Sequence, residues 1–103
     1  MAKRSKKLGR QLHDTLRDIT SLMGATINSD RLEQIMEQRA TLIEQISDLV
    51  DRNLDQASKE YKAASAGLQQ ASAMIKSAIE GMESVANAIT TIAKAIDLVS
   101  KVK

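Results

Sequence analysis

The chain has no cysteine, proline, phenylalanine or tryptophan, and each absence excludes a class of structure or function. Without cysteine there can be no disulfide and no thiolate metal site. Without proline, and with only four glycines in 103 residues, few positions interrupt a helix. Tyr61 is the only aromatic residue, so aliphatic side chains and alanine must form the core. We expect so thin a core to gain stability from self-association.

The residues that are present favour α-helix, because Ala, Leu, Ile, Lys, Glu, Gln and Ser fill most positions. No segment alternates apolar and polar residues over the length of a strand. The predicted fold class is all-α: a helical hairpin or coiled-coil bundle of a short N-terminal helix plus two long helices, completed by oligomerisation or by a partner. Two regions are expected, a basic arm with an amphipathic helix and connector at 1–28, and a long helical hairpin or continuous coiled-coil segment at 29–103.

Five apolar residues near the N-terminus recur at steps of three and four, which places them on one face of a helix. This pattern predicts a helix from about Lys6 to Met23, ended by Gly24. Asp30, followed three residues later by Glu33, is the predicted N-cap of a second helix. The five residues of the first stripe are Leu8, Leu12, Leu16, Ile19 and Met23. The second helix has its own stripe of Leu32, Ile35, Met36, Leu42, Ile43, Ile46, Leu49 and Val50.

Between residues 61 and 99, two sets of apolar or alanine residues each recur every seven positions, the second set three residues after the first. Such a pattern, unbroken over several heptads, is typical of a coiled-coil seam. We therefore predict that the seam is a partner interface. Its residues are Tyr61, Ala64, Leu68, Ala71, Ile75, Ala78, Met82, Val85, Ile89, Ile92, Ile96 and Val99.

Where the second helix ends is open on the sequence alone. Gly67 is one candidate for the hairpin turn, and the polar stretch Asn53–Ser58, with Ser58 as an N-cap, is another. A single continuous helix from Arg31 onward and a chain that orders only on binding are the further alternatives. We favour a hairpin together with the N-terminal helix.

The net charge of +2 hides a strong asymmetry, because residues 3–10 carry five positive charges and no negative one. This basic arm suits nucleic-acid phosphates, an anionic membrane surface, or the acidic face of another copy or a partner. It is equally explained as a solvated helix terminus. The basic residues are Lys3, Arg4, Lys6, Lys7 and Arg10.

Catalytic chemistry has little support in the sequence. His13 is the only histidine, and no glycine-rich loop follows a strand to cradle a phosphate. We predict a protein that is not an enzyme and that uses no cofactor, metal ion or small-molecule substrate.

The sequence also sets expectations about location. The basic start is not followed by the apolar region of a signal peptide. The longest stretch without a charge is Ala63–Ile75, well short of the roughly 20 apolar residues that a spanning helix needs. We expect a cytoplasmic protein, or one exported without a cleaved signal peptide, that has no transmembrane helix.

The leading hypothesis is a small helical scaffold, assembly or interaction protein that acts through coiled-coil packing as a homo-oligomer or in a helical hetero-complex. In size, charge and helical layout the chain resembles small helical secretion substrates, which implies a subunit of a secretion or phage-type complex. It lacks the Trp-x-Gly turn of one such family and the proline-containing turn of needle subunits. The alternatives are a membrane-associated amphipathic helical protein and a nucleic-acid-associated accessory protein that uses the basic arm.

Overall fold

The computed structural model describes residues 4–49 and 57–102, with side chains described from Leu8 onward, and all regular structure in these ranges is α-helical. The prediction of an all-α fold is confirmed. The prediction of one short and two long helices is wrong, because the described residues form four helices of similar length. They are α1 (Arg4–Ala25), α2 (Ser29–Leu49), α3 (Lys59–Ile79) and α4 (Val85–Ser100).

The four helices form a bundle in which α1 and α4 each pack against both α2 and α3. The backbone N–H of Leu8 donates to Tyr61 Oη at 2.9 Å. Because both residues lie near the start of their helices, α1 and α3 run parallel. Gln38 Nε2 donates to the Ile89 carbonyl at 2.9 Å, and a second such bond follows seven residues later in both helices. Helices α2 and α4 are therefore also parallel, and the bundle consists of two antiparallel hairpins whose turns meet at the same end.

The turn between α1 and α2 differs from the sequence prediction at both of its ends. Asn28 caps α2, since its Oδ1 accepts from the Arg31 N–H at 3.1 Å. Asp30 as the N-cap is therefore wrong, because an equally good cap two residues earlier places Asp30 inside the first helical turn. Gly24 as the helix stop is also wrong, since α1 continues through it to Ala25.

The turn between α3 and α4 was not predicted at all. Gly81 has a φ of 80°, a backbone conformation that residues with a Cβ rarely adopt. Ser84 then caps α4 by accepting from the Asn87 N–H at 3.1 Å. The carboxylate of Glu83 accepts hydrogen bonds from the Asn87 side chain and from the Ser84 N–H, and these bonds lower the pKa of Glu83. Because this turn separates α3 from α4, the prediction of one continuous helix from Arg31 onward is wrong.

Ser58 confirms one of the alternatives for the start of the third helix. Its Oγ accepts from the Tyr61 N–H at 3.1 Å and makes it the N-cap of α3. Most of the predicted turn Asn53–Ser58 falls within 50–56, which lies outside the described residues.

Gly67 is not a turn but the point of closest approach between α3 and α4. It is buried within α3. A Cβ at this position would lie 2.7 Å from Leu98 Cδ1 and 3.5 Å from Ala95 Cα. The missing side chain therefore lets the two backbones pack closely, and the turn predicted at Gly67 is wrong.

The core between the four helices combines large side chains from one hairpin with many small ones from the other. Large and small residues interdigitate in this way without leaving voids. The buried apolar residues of the first hairpin are Leu8, Leu12, Ile19, Leu22, Ile35, Leu42 and Leu49. Those of the second are Tyr61, Ala64, Leu68, Ala71, Ile75, Ala88, Ile92, Ala95, Val99 and Val102.

Candidate interaction surface

The heptad residues predicted as a partner interface lie mostly against the chain's own helices. Met82, in the α3–α4 turn, is the exception and is 77% exposed. That a partner binds this set of residues stays a prediction. The buried members are Tyr61, Ala64, Leu68, Ala71, Ile75, Ile92 and Val99, and the half-buried ones are Ala78, Val85, Ile89 and Ile96.

The basic arm lies at the end of the bundle opposite the two turns. Helix α1 begins at Arg4, so that Arg4, Lys6 and Lys7 belong to its first turn. Their side chains, and all of Lys3, lie outside what the structure describes. The Arg10 side chain is exposed.

Large apolar side chains are exposed on the first hairpin, and two of them belong to the apolar stripe predicted for the second helix. Ile27 is 98% exposed, Met36 is 52% exposed and Ile43 is 41% exposed. At about 100° per residue, Met36 and Ile43 lie roughly a quarter turn from the buried Ile35, beyond the contact with α1. In the sequence, the width of the apolar stripe of α2 indicates this exposure of Met36 and Ile43, because a single neighbouring helix cannot cover so wide a stripe.

Met36 and Ile43 lie on one side of the bundle, which we name the α1–α2 outer face. It consists of Leu16 and Met23 from α1 together with Leu32, Met36 and Ile43 from α2, and the exposed Ile27 lies in the connector between the two helices. Across this side, Arg39 Nε donates to Thr20 Oγ1 at 3.3 Å and joins the two helices. Contiguous exposed apolar residues of this kind mark interaction sites.

The α1–α2 outer face is flat as well as apolar, because small residues separate the large ones. Gly9 and Gly24 lie on the α1 side, and a Cβ at either position would meet no other atom within 4 Å. Ala40 and Ser47 are exposed on the α2 side. A second helix pair could therefore approach closely between the large apolar side chains, with Arg39 half-buried between α1 and α2.

Charges of opposite sign flank the two sides of this face. On α1 the exposed side chains of Arg10 and Arg17 form a basic edge, beside which the exposed His13 and Asp14 also lie. On α2 the exposed side chains of Glu33, Glu37 and Glu44 form an acidic edge. The charged edges run parallel to the helices.

Two open depressions lie beside the acidic edge of α2, and Glu33, Glu37 and Glu44 are among the residues that line them. One, of about 370 Å³, is lined by polar residues of the first turns of α2, among them Asp30 and Glu33. The other, of about 340 Å³, lies between the C-terminal parts of α2 and α4, with Leu49, Val99 and Val102 in its lining. In the described part of the chain, no three His, Asp or Glu residues are placed to hold a metal ion. None of the described helices combines the length and hydropathy needed to cross a membrane.

In comparisons with known proteins, no family model matches this chain, and neither a curated protein nor a solved structure shows significant similarity to it. Function must therefore be argued from the surface itself.

Proposed function

We propose that this protein is a small, non-catalytic helical assembly or interaction protein, and that it binds a protein partner through the α1–α2 outer face. The observation that carries the proposal is the exposure of Met36 and Ile43 on a side of α2 where small residues lie beside them. Interface centres are depleted of charged residues and enriched in methionine, as this face is.

The energetics support a role for these residues outside the fold. Covering apolar surface stabilises a complex by roughly 25 cal/mol per Å². Burying Met36 and Ile43 inside the monomer would have stabilised the fold in the same way, yet both stay exposed. A partner that covers them gains this free energy, which fits a subunit of a larger particle, such as a secretion or phage-type complex.

The coiled-coil form of the hypothesis now needs a different surface. The buried heptad residues of α3 and α4 contact α1, α2 and each other, so a partner could reach these residues only by opening the bundle. Binding at the α1–α2 outer face leaves the core intact.

Light scattering on a sizing column tests the proposal with one substitution on the face and one away from it. We expect the wild-type chain to have a mass above its 11.2 kDa monomer. Ile43→Glu should return the protein to the monomer, because it places a charge in the apolar centre. Gln69→Glu, at an exposed position of α3, should leave the mass unchanged. An oligomer whose mass Ile43→Glu leaves unchanged would contradict the proposal, because a surface other than the α1–α2 outer face would then hold it together.

Nucleic acid is the second candidate partner, and the basic edge is the observation that favours it. Arg10 and Arg17 are exposed on the same helix whose first turn carries Arg4, Lys6 and Lys7. Phosphate contacts would make binding to duplex DNA or RNA strongly salt-dependent and independent of sequence. Fluorescence anisotropy with labelled duplexes, compared between the wild type and the Arg10→Glu/Arg17→Glu variant, decides this. Equal binding by both proteins would exclude the basic edge as the binding site for nucleic acid.

A further inference from the structure

We infer that the partner is a second copy of this chain, bound face to face so that α1 of each copy lies over α2 of the other. This inference rests on the proposed function and adds to it the identity and the orientation of the partner. The twofold axis runs parallel to the bundle, between the two pairs of helices. Area, charge and register each support this arrangement.

The area is right for a stable dimer on a side of the bundle. The molecule measures 43 × 22 × 20 Å, so one side offers about 860 Å² as a flat rectangle, close to the roughly 800 Å² that each partner contributes to a standard interface. An end of the bundle offers only about half of that area. The exposed Met82 and Ile79 at the turn end therefore suit a weaker contact.

The charged edges select one of the two symmetric arrangements. With the twofold axis parallel to the helices, the basic edge of each copy faces the acidic edge of the other. With the axis across the helices, α1 would lie on α1 and α2 on α2, so that like charges would meet at both edges. Juxtaposed like charges disfavour a complex, and complementary edges fix its register.

The alignment of α1 with α2 places Arg17 and Glu44 at similar positions along the axis of the bundle. Helices α1 and α2 are antiparallel and pass each other with Thr20 beside Arg39. Arg17 is therefore level with Leu42, two residues from Glu44, or about 3 Å along the helix. In the parallel-axis dimer, Arg17 of one copy reaches Glu44 of the other twice, once on each side of the axis.

Charge reversal tests the orientation by sedimentation equilibrium on full-length variants. Arg17→Glu alone and Glu44→Arg alone should each weaken the dimer by about tenfold or more, because each creates two like-charge contacts. An equimolar mixture of the two variants should restore association, since the heterodimer regains an opposite pair on both sides. Gln69→Lys is the matched control and should leave the dissociation constant unchanged.

The outcomes separate this inference from the proposed function. If Ile43→Glu dissociates the dimer while neither charge reversal weakens it, the face is the interface and the orientation is wrong. If Arg17→Glu strengthens association, the axis across the helices is correct and our arrangement is overturned. If the wild type is monomeric at every concentration, the inference that the partner is a second copy is overturned, while the proposal that the face binds a protein partner is not contradicted. Circular dichroism of each variant checks that the helical fold is kept.

Discussion

The two hairpins of this bundle use their apolar residues differently. In the second hairpin, Gly67 brings α3 and α4 into close contact, and Ser58 and Ser84 cap both helices. In the first hairpin, large aliphatic side chains fill the core, and Met36 and Ile43 are exposed on the surface of α2.

The difference separates stability from binding. Close packing of small residues joins α3 to α4, and the exposed large apolar residues of this hairpin, Ile79 and Met82, lie at its turn end, so we assign the second hairpin to holding the fold. The first hairpin has a wider apolar stripe than its neighbours can cover, and the surplus forms the α1–α2 outer face. Substitutions of apolar residues should therefore mainly lower the free energy of unfolding in the second hairpin. On the α1–α2 outer face they should mainly weaken partner binding.

The largest expected difference in the free energy of unfolding is between alanine substitutions at two adjacent residues of α2. Leu42 is fully buried and Ile43 is 41% exposed. Leu42→Ala should lower the free energy of unfolding by about 3 kcal/mol through a cavity in the core. Ile43→Ala should change it by less than about 0.5 kcal/mol in the monomer. Urea denaturation at low protein concentration measures both, and equal losses would show that Ile43 belongs to the core.

The next largest expected effect on the free energy of unfolding is at Gly67, where α3 and α4 pack closely. Gly67→Leu should lower the free energy of unfolding by about 2 kcal/mol, because the new side chain forces α3 away from α4. Ala66→Leu places the same side chain on the exposed side of α3 and should be nearly neutral. Thermal melts of the pair measure the difference. A Gly67→Leu protein as stable as the wild type would mean that the two helices can separate freely.

Tyr61 joins the two hairpins through its hydroxyl group. Tyr61→Phe removes the bond from the Leu8 N–H and should cost about 1 kcal/mol at neutral pH. Burial raises the pKa of Tyr61 above 10.0, so its contribution to stability is complete below pH 10.0 and is lost as the pH rises through the higher folded-state pKa. Denaturation of both proteins across this alkaline range should show a smaller loss for Tyr61→Phe. Parallel pH dependences would contradict the role of burial.

The smallest predicted effects have opposite signs at two glycines that both have open space around them. Gly81→Ala should destabilise the protein by about 1 kcal/mol, because only Gly81 has a positive φ among the described residues. Gly24→Ala lies within α1 and should stabilise it by about 0.5–1 kcal/mol. Chemical denaturation of both variants checks the sign, and the same sign for both would show that backbone conformation is not the deciding factor.

The sequence predicted the parts of the fold that depend on local chemistry. The all-helical class followed from composition, the α1 stripe from its periodicity, and Ser58 was named as a cap among the alternatives. The Gly81 turn was missed because a turn there keeps the seven-residue spacing from Ile75 through Met82 to Ile89. The signals that do mark it are Gly81 and, three residues later, the capping Ser84.

The candidate surface was harder to predict than the fold, for a physical reason. Heptad periodicity shows which residues share a face of a helix, and it does not show whether that face meets the same chain or another one. In this structure most of the heptad residues of α3 and α4 pack against α1, α2 and each other, and binding of a partner to them stays a prediction. Met36 and Ile43 could be separated from the core only once the neighbours of α2 were known.

The most direct measurement is the sedimentation equilibrium of the wild-type chain at low and high ionic strength. The account predicts twice the 11.2 kDa chain mass at both, with somewhat weaker association in high salt, because the apolar centre holds the dimer and the charged edges orient it. A mass of 11.2 kDa under both conditions, at every concentration, would contradict it.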